Sequence, residues 1–281
     1  MLGFFYNLIN TLLPFEWTNH IFMKNALLAV VLITPLFGLL GTMVVSNRMA
    51  FFSDSLGHGA FTGIAIGAAL GFLQPMLAAV IFSLFFAFII TLIKNKSHVS
   101  TDTVIGVFSS TAVAVGLIIL SFGGSFNKYS SYLVGDILSI APSEIATLTL
   151  VFIGVILLWV FIFNNILLLS INQSLAASRS INTFVTEIFF TAAIAVVVTI
   201  TIQWVGLLII NSLLVLPAAA ARNISSNARQ YTLFSVGISF FSGIMGLILS
   251  YYLGTATGAT IVLVSAVVFF STFALRRKFA T

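Results

Sequence analysis

The chain has no cysteine, only six acidic residues and only three histidines in 281 positions. Without cysteine there can be no disulfide, no thiolate metal site and no cysteine nucleophile. Any transition metal held here must therefore use imidazole and carboxylate. Charge is scarce overall: Asp, Glu, Lys and Arg make up 6% of the residues, against roughly a quarter in soluble domains. That composition, with 60% hydrophobic residues and 29 Phe spread along the length, leaves no stretch for a sizeable water-soluble domain. Catalytic signatures are missing too. There is no G-x-S-x-G, no H-E-x-x-H and no G-x-x-x-x-G-K-[ST], so neither an intramembrane hydrolase nor a self-contained ATPase is indicated. What remains is a polytopic, all-α membrane protein.

A helix needs about 20 apolar residues to cross the hydrocarbon core. Nine segments meet or approach this, near 26–46, 55–73, 75–93, 103–122, 146–169, 183–202, 205–221, 232–252 and 258–274. The sixth and seventh are separated only by a break at Gln203-Trp204, so eight spans plus a re-entrant piece also fit. Pro35 and Pro217 predict kinks or breaks inside apolar segments. No internal repeat or linker divides the chain. Residues 1–25 read as an outer N-terminal segment and 26–281 as one transmembrane domain.

The net charge of +5 is explained by orientation in the bilayer rather than by nucleic acid. With nine spans and Arg276-Arg277-Lys278 placed in the cytoplasm, Arg48, Lys94, Lys96, Arg179, Arg222 and Arg229 fall on that same side. Only Lys24 and Lys128 fall outside, a ratio of nine to two. The N-terminus, the 123–145 loop and the 252–257 turn then face out. The first residues carry neither a basic n-region nor a cleavage pattern, so a cleaved signal peptide is not expected. Instead Leu2, Phe5, Leu8, Ile9 and Leu12 recur at helical spacing opposite Asn7, Asn10 and Thr11, which predicts an interfacial helix on the membrane lipid.

An ionisable group inside a span costs about 2.5–3.5 kcal/mol, so each one present is a candidate for function. Asp54 and His58 stand out in the run Ser53-Asp54-Ser55-Leu56-Gly57-His58. Four residues apart, a carboxylate and an imidazole share one helical face and can reach one divalent cation. A two-fold dimer with this face on its axis would gather two Asp and two His, a set suited to Zn or Mn. The plainer alternative makes Asp54 or Ser53 a helix cap and His58 an interhelical hydrogen-bonding group. Gly59, Gly63, Gly67 and Gly71 form an i, i+4 ladder that predicts close helix packing beside this face. Asp136 and Glu144 in the outward segment are placed to attract cations, although surface carboxylates are ordinarily just solvated. Glu187 reads as a first-turn residue favoured by its helix N-terminus. His20, His98 and Asp102 read as loop residues.

These stretches together resemble the permease subunits of bacterial ABC importers for zinc, manganese and related divalent metals. Ser53–Gly63, SDSLGHGAFTG, is similar to that family's S/G-D-x-x-S-H-x-x-x-x-G pattern, with Gly57 in place of the usual Ser. Tyr132–Ser143 resembles L-F-G-x-I-L-x-V-x-P, and Val205–Arg222 resembles V-G-x-L-L-V-x-A-L-L-x-x-P-A-A-x-A-R. Thr257–Val264 is similar to the opening of the family's last span. The resemblance implies a type II importer fold with about eight or nine transmembrane helices. It implies a homodimer in the bacterial plasma membrane, served by two copies of an ATPase subunit and by an extracellular metal-binding protein.

It also implies Asp54 and His58 as ligands of the transported Zn or Mn, with no permanently bound cofactor. Ser170–Ile181 aligns with the F-D-x-x-x-A-x-x-x-G coupling segment. That implies an amphipathic helix through Ser174, Leu175, Ala176, Ala177, Ser178 and Arg179 seated on the ATPase. Asn172 replaces the usual Asp there, and Ser180 the usual Gly. Two other readings remain open: a related permease for a metal chelate or siderophore, and a gradient-driven cation transporter, which would ordinarily carry more intramembrane carboxylates.

Overall fold

The computed structural model describes residues 2–13, 15–71, 74–96, 99–122, 129 and 131–279. These contain twelve α-helices: α1 (Leu2–Leu12), α2 (Ile21–Ser46), α3 (Ala50–Ala69), α4 (Pro75–Lys96), α5 (Thr101–Phe122), α6 (Ser131–Val134), α7 (Pro142–Ile171), α8 (Gln173–Ser178), α9 (Thr183–Val205), α10 (Leu207–Ile224), α11 (Ala228–Leu253) and α12 (Thr257–Phe279). Short 3-10 turns occupy Glu16–Asn19 and Ile137–Ser139, and no strand occurs among the described residues. His98 and Lys128 lie outside the described residues.

Each of the nine expected spans falls on one long helix, but not all nine are alike. Seven helices are long and apolar enough to cross a membrane: α2, α4, α5, α7, α9, α11 and α12. The other two are α3, whose Ser, Asp, Gly and His dilute its hydropathy, and the shorter α10. Both lie inside the bundle, where protein rather than lipid surrounds them. Helix α3 packs against α4, α5, α9 and α10, while α10 packs against α2, α11 and α12. Outer helices expose apolar stripes at helical spacing, as with Leu77, Ile81, Phe85 and Phe88 on α4 or Leu150, Ile153, Leu157 and Val160 on α7. Such all-apolar outward faces are those of lipid-facing helices.

The prolines do not interrupt the spans, since α2 continues through Pro35 and α10 through Pro217. The break between the sixth and seventh spans comes at Gly206, two residues after Trp204. Gly206 has φ +92° and Gly135 has φ +72°, and the two backbones touch. A Cβ on Gly206 would stand 2.1 Å from the carbonyl oxygen of Val134, so glycine alone permits both the turn and the contact.

Interhelical closeness has a similar origin around α3. A Cβ on Gly63 would stand 2.6 Å from the Cα of Ala79, one on Gly67 2.7 Å from the Cβ of Ala78, and one on Gly59 2.8 Å from the ring of Phe86. All three therefore face α4. Gly71 has a different place: it follows the helix in a left-handed conformation (φ +71°), with nothing within 4 Å of a would-be Cβ.

Candidate metal site and its supporting networks

Helix α3 begins at Ala50, five residues before the hydropathy of the sequence suggests, with Met49 as an N-cap residue that offers no side-chain cap. Asp54 and His58 therefore lie within the second and third turns, and neither Ser53 nor Asp54 caps the helix. Asp54 Oδ2 and His58 Nε2 stand 3.5 Å apart, and their side chains retain 38% and 24% exposure on a helix whose middle, Ser55 to Ala65, is buried apart from His58. Two donor atoms about 2.1 Å from a common ion at the tetrahedral angle stand about 3.4 Å apart. The observed separation is thus that of two neighbouring vertices around one Zn-sized cation. Among the described residues no group of three or more His, Asp or Glu is gathered.

The surroundings of the pair are set by the other faces of α3. On one side Ser53, fully buried, donates to Asn211 Oδ1 of α10 at 2.5 Å, and Gly57 faces Leu207 and Ile210 of the same helix. On the other side Thr62 donates to the Ala112 carbonyl of α5 at 2.5 Å. By helical position Asp54 and His58 lie between these two contact faces, one towards α10 and one towards α5. Asn211 was not evident from the sequence, because an amide in an apolar run gives no periodic signal.

Lys24 lies at one end of the bundle, and the other, basic end carries Arg48 and Lys94. There a cavity of about 510 Å³ opens between the α2–α3 turn, the end of α4 and the start of α9, lined by Arg48, Lys94, Asn95, Thr101, Ser170 and Glu187 among others. Glu187 is not in the first turn of α9, which starts at Thr183. It is buried and accepts hydrogen bonds from Lys94 Nζ and, at 2.8 Å, from Asn95 Nδ2. Its role is therefore an ion pair to α4 rather than helix capping.

On the same side, α8 forms a short helix across the end of α7. Asn172 Oδ1 accepts from the backbone N–H groups of Ser174 (2.8 Å) and Leu175 (3.2 Å), doing the capping work an Asp would do. Ser180 has φ +57°, its N–H reaches Ala177 O, and Ile181 N–H reaches Ala176 O. This is the Schellman closure that glycine ordinarily provides. Ala176 is buried, whereas Ser174, Leu175, Ala177, Ser178 and Arg179 are exposed.

At the opposite end a second cavity, about 530 Å³, is lined by Tyr129, Tyr132, Asp136, Ser139, Glu144 and Trp204 among others. Glu144 ties this end together. Its carboxylate accepts from Gln203 Nε2 (3.0 Å), Trp204 Nε1 (3.3 Å) and the Ala141 N–H (2.7 Å). Asp136 remains exposed and accepts from the Leu138 N–H. Burial raises the Tyr132 phenol above the ordinary tyrosine value, and Tyr129 and Glu144 raise it further.

An all-helical membrane protein with a carboxylate–imidazole pair partly exposed on one of its inner helices is a class met among membrane transporters. The family is defined by sequence: the profile of the ABC 3 transport family matches residues 19–276, and the chain belongs to that family. It is 31% identical over 244 residues to the high-affinity zinc uptake system membrane protein ZnuB of Buchnera aphidicola subsp. Baizongia pistaciae, covering 86% of this chain and 93% of that one. To the manganese import system permease protein ScaB of Streptococcus parasanguinis it is 28% identical over 257 residues, 92% and 91% of the two chains. Its fold matches PsaBC from Streptococcus pneumoniae, solved in complex with Fab, with a TM-score of 0.79 and 26% identity over 97% of this chain and 95% of that one. A putative metal-chelate type ABC transporter in an inward-facing conformation shares the fold at a TM-score of 0.69 and 11% identity, over 89% and 85% of the chains.

Proposed function

We propose that this chain is the permease of an ATP-driven importer that moves a divalent transition metal, zinc or manganese, across the bacterial plasma membrane. The observation that carries this is the 3.5 Å carboxylate–imidazole pair, left partly exposed on a helix that is largely buried. Relatives named for zinc uptake and for manganese import, matched along nearly the whole chain, support the cargo. A second copy related by a two-fold axis on this face of α3 supplies the second Asp54 and His58 and completes a four-ligand O2N2 site. The cation exchanges its hydration shell for these donors and leaves when the helices carrying them move apart.

The driving force is supplied by a separate ATPase, two copies per dimer, seated on the exposed residues Ser174, Leu175, Ala177, Ser178 and Arg179, with Ala176 packed beneath. The basic end is cytoplasmic, as the distribution of Arg and Lys favours. The Tyr132–Glu144 end is then the outer face, where a metal-binding protein delivers its cargo. A chelate importer would need a wide path and no direct ligands, so the pair would be dispensable to it.

The test is elemental analysis of cells lacking other uptake systems, expressing this chain with its ATPase and binding protein. One metal is expected to accumulate with the wild-type chain and not with the Asp54→Ala/His58→Ala double variant. Equal accumulation in both strains would contradict the assignment.

A further inference from the structure

Helix α1 has three faces with different surroundings. Tyr6 and Ile9 point to the body of the protein: Ile9 is buried, and the Tyr6 hydroxyl donates to Asn25 Oδ1 at 2.5 Å. Asn7, Asn10 and Thr11 form a polar, exposed face. The third face is apolar and open, with Phe4 71%, Phe5 45%, Leu8 42% and Leu12 67% exposed. The helix has no charged residue to specify a protein partner. Its apolar face is followed along the chain by exposed Phe15, Ile21 and Phe22, the last two at the start of the first spanning helix. Exposed Glu16, Asn19 and His20 stand between Phe15 and Ile21, so the apolar surface resumes where the first spanning helix begins.

The inner face of α1 reaches further than α2. Asn25, itself buried, accepts from Tyr6 through Oδ1 and donates through Nδ2 to the Ile140 carbonyl at 3.3 Å. Ile140 directly follows Ser139, which lines the cavity at this end together with Asp136. One amide therefore connects α1 to the segment 131–141.

We propose that α1 lies in the lipid–water interface at the end of the bundle opposite the basic one, its Phe4, Leu8 and Leu12 in the bilayer, and braces the segment 131–141 through Asn25. An amphipathic helix with Phe and Leu on one face and amides on another is stable lying in that plane. The proposal does not depend on which metal, if any, is carried.

Because the chain has no cysteine, single cysteines report position directly. Nitroxide labels placed at Leu8, Leu12, Asn7 and Asn10 in the full chain, reconstituted in phosphatidylethanolamine/phosphatidylglycerol vesicles, are compared for collision with oxygen and with a water-soluble nickel chelate. Leu8 and Leu12 are expected to show an oxygen-to-chelate ratio about fivefold above Asn7 and Asn10. Water-like ratios at all four sites would overturn the interfacial placement. So would shielding of Leu8 and Leu12 from both reagents, which would mean protein covers the face. The brace is read by maleimide labelling of Ser139→Cys. Tyr6→Phe, which removes only a hydroxyl, and Asn25→Ala are each expected to raise the rate about threefold, with no change at a Ser226→Cys control on the basic end. An unchanged rate in both variants would overturn the brace.

Discussion

Ser53 and Asn211 share a 2.5 Å hydrogen bond that fastens α3 to α10 one residue before Asp54. Ser53 has no exposure, and without this acceptor its hydroxyl keeps only the longer bond to the Ala50 carbonyl at 3.2 Å, a loss of about 0.5–1.5 kcal/mol. Asn211→Leu is expected to lower thermal stability by that amount. Ser53→Ala/Asn211→Leu should recover most of the loss. A strictly additive double variant would show that the bond does not couple the helices.

Glu187 holds Lys94 and Asn95 at the basic end. Glu187→Leu leaves a partly buried ammonium unpaired and is expected to cost about 3 kcal/mol. Replacing both partners, Lys94→Met with Glu187→Leu, should be far less harmful than either change alone. Denaturation of the four proteins in detergent provides the cycle.

Ser180 occupies a left-handed position at the end of α8. Ser180→Gly is expected to stabilise this turn by about 1 kcal/mol, and Asn172→Ala to weaken the helix by about the same through loss of its cap. If α8 seats the ATPase, capture of that subunit should fall with Asn172→Ala and hold with Asn172→Asp. Equal capture by all variants would place the contact elsewhere.

Tyr132 is the group outside the spans whose ionisation is most clearly displaced. Its phenol is raised by burial, with Tyr129 and Glu144 adding to it. Folding therefore favours the neutral form. The stability this residue contributes is full below the ordinary tyrosine value of about 10 and is lost as pH rises from there through the raised folded value. Absorbance titration should show a late tyrosine component that Tyr132→Phe diminishes.

Much of this architecture was legible in composition and hydropathy. Nine helices stand where nine apolar segments lie, because lipid-facing positions must be apolar and a span has a fixed length. What hydropathy could not reveal were the features made by contact. The first five residues of α3 were invisible because Ser53 and Asp54 read as polar, yet Ser53 is satisfied by a partner 158 residues away in sequence. The break at Gly206 depends on Gly135, and the cap-like reading of Glu187 gave way to Lys94 and Asn95 on another helix. The Asp54–His58 spacing, by contrast, is a local property of one helix, and so the 3.5 Å approach of the pair could be anticipated.

Gly57 stands where the resembling family has Ser. A Cβ there would sit 3.6 Å from Leu207, an ordinary contact. Gly57→Ala is therefore expected to be tolerated or to stabilise α3 by up to about 1 kcal/mol, whereas Gly63→Ala should destabilise by about 1–3 kcal/mol through overpacking against Ala79. Thermal melts of the two variants compare them directly.

Asp54 and His58 are the proposed ligands of the cargo in transit. Uptake of radiolabelled Zn or Mn into vesicles containing the assembled permease, ATPase and binding protein tests this assignment, with Asp54→Ala and His58→Ala measured beside wild type. The account predicts that each substitution reduces metal uptake at least about tenfold while the complex still assembles and hydrolyses ATP. Wild-type uptake by both variants would contradict it.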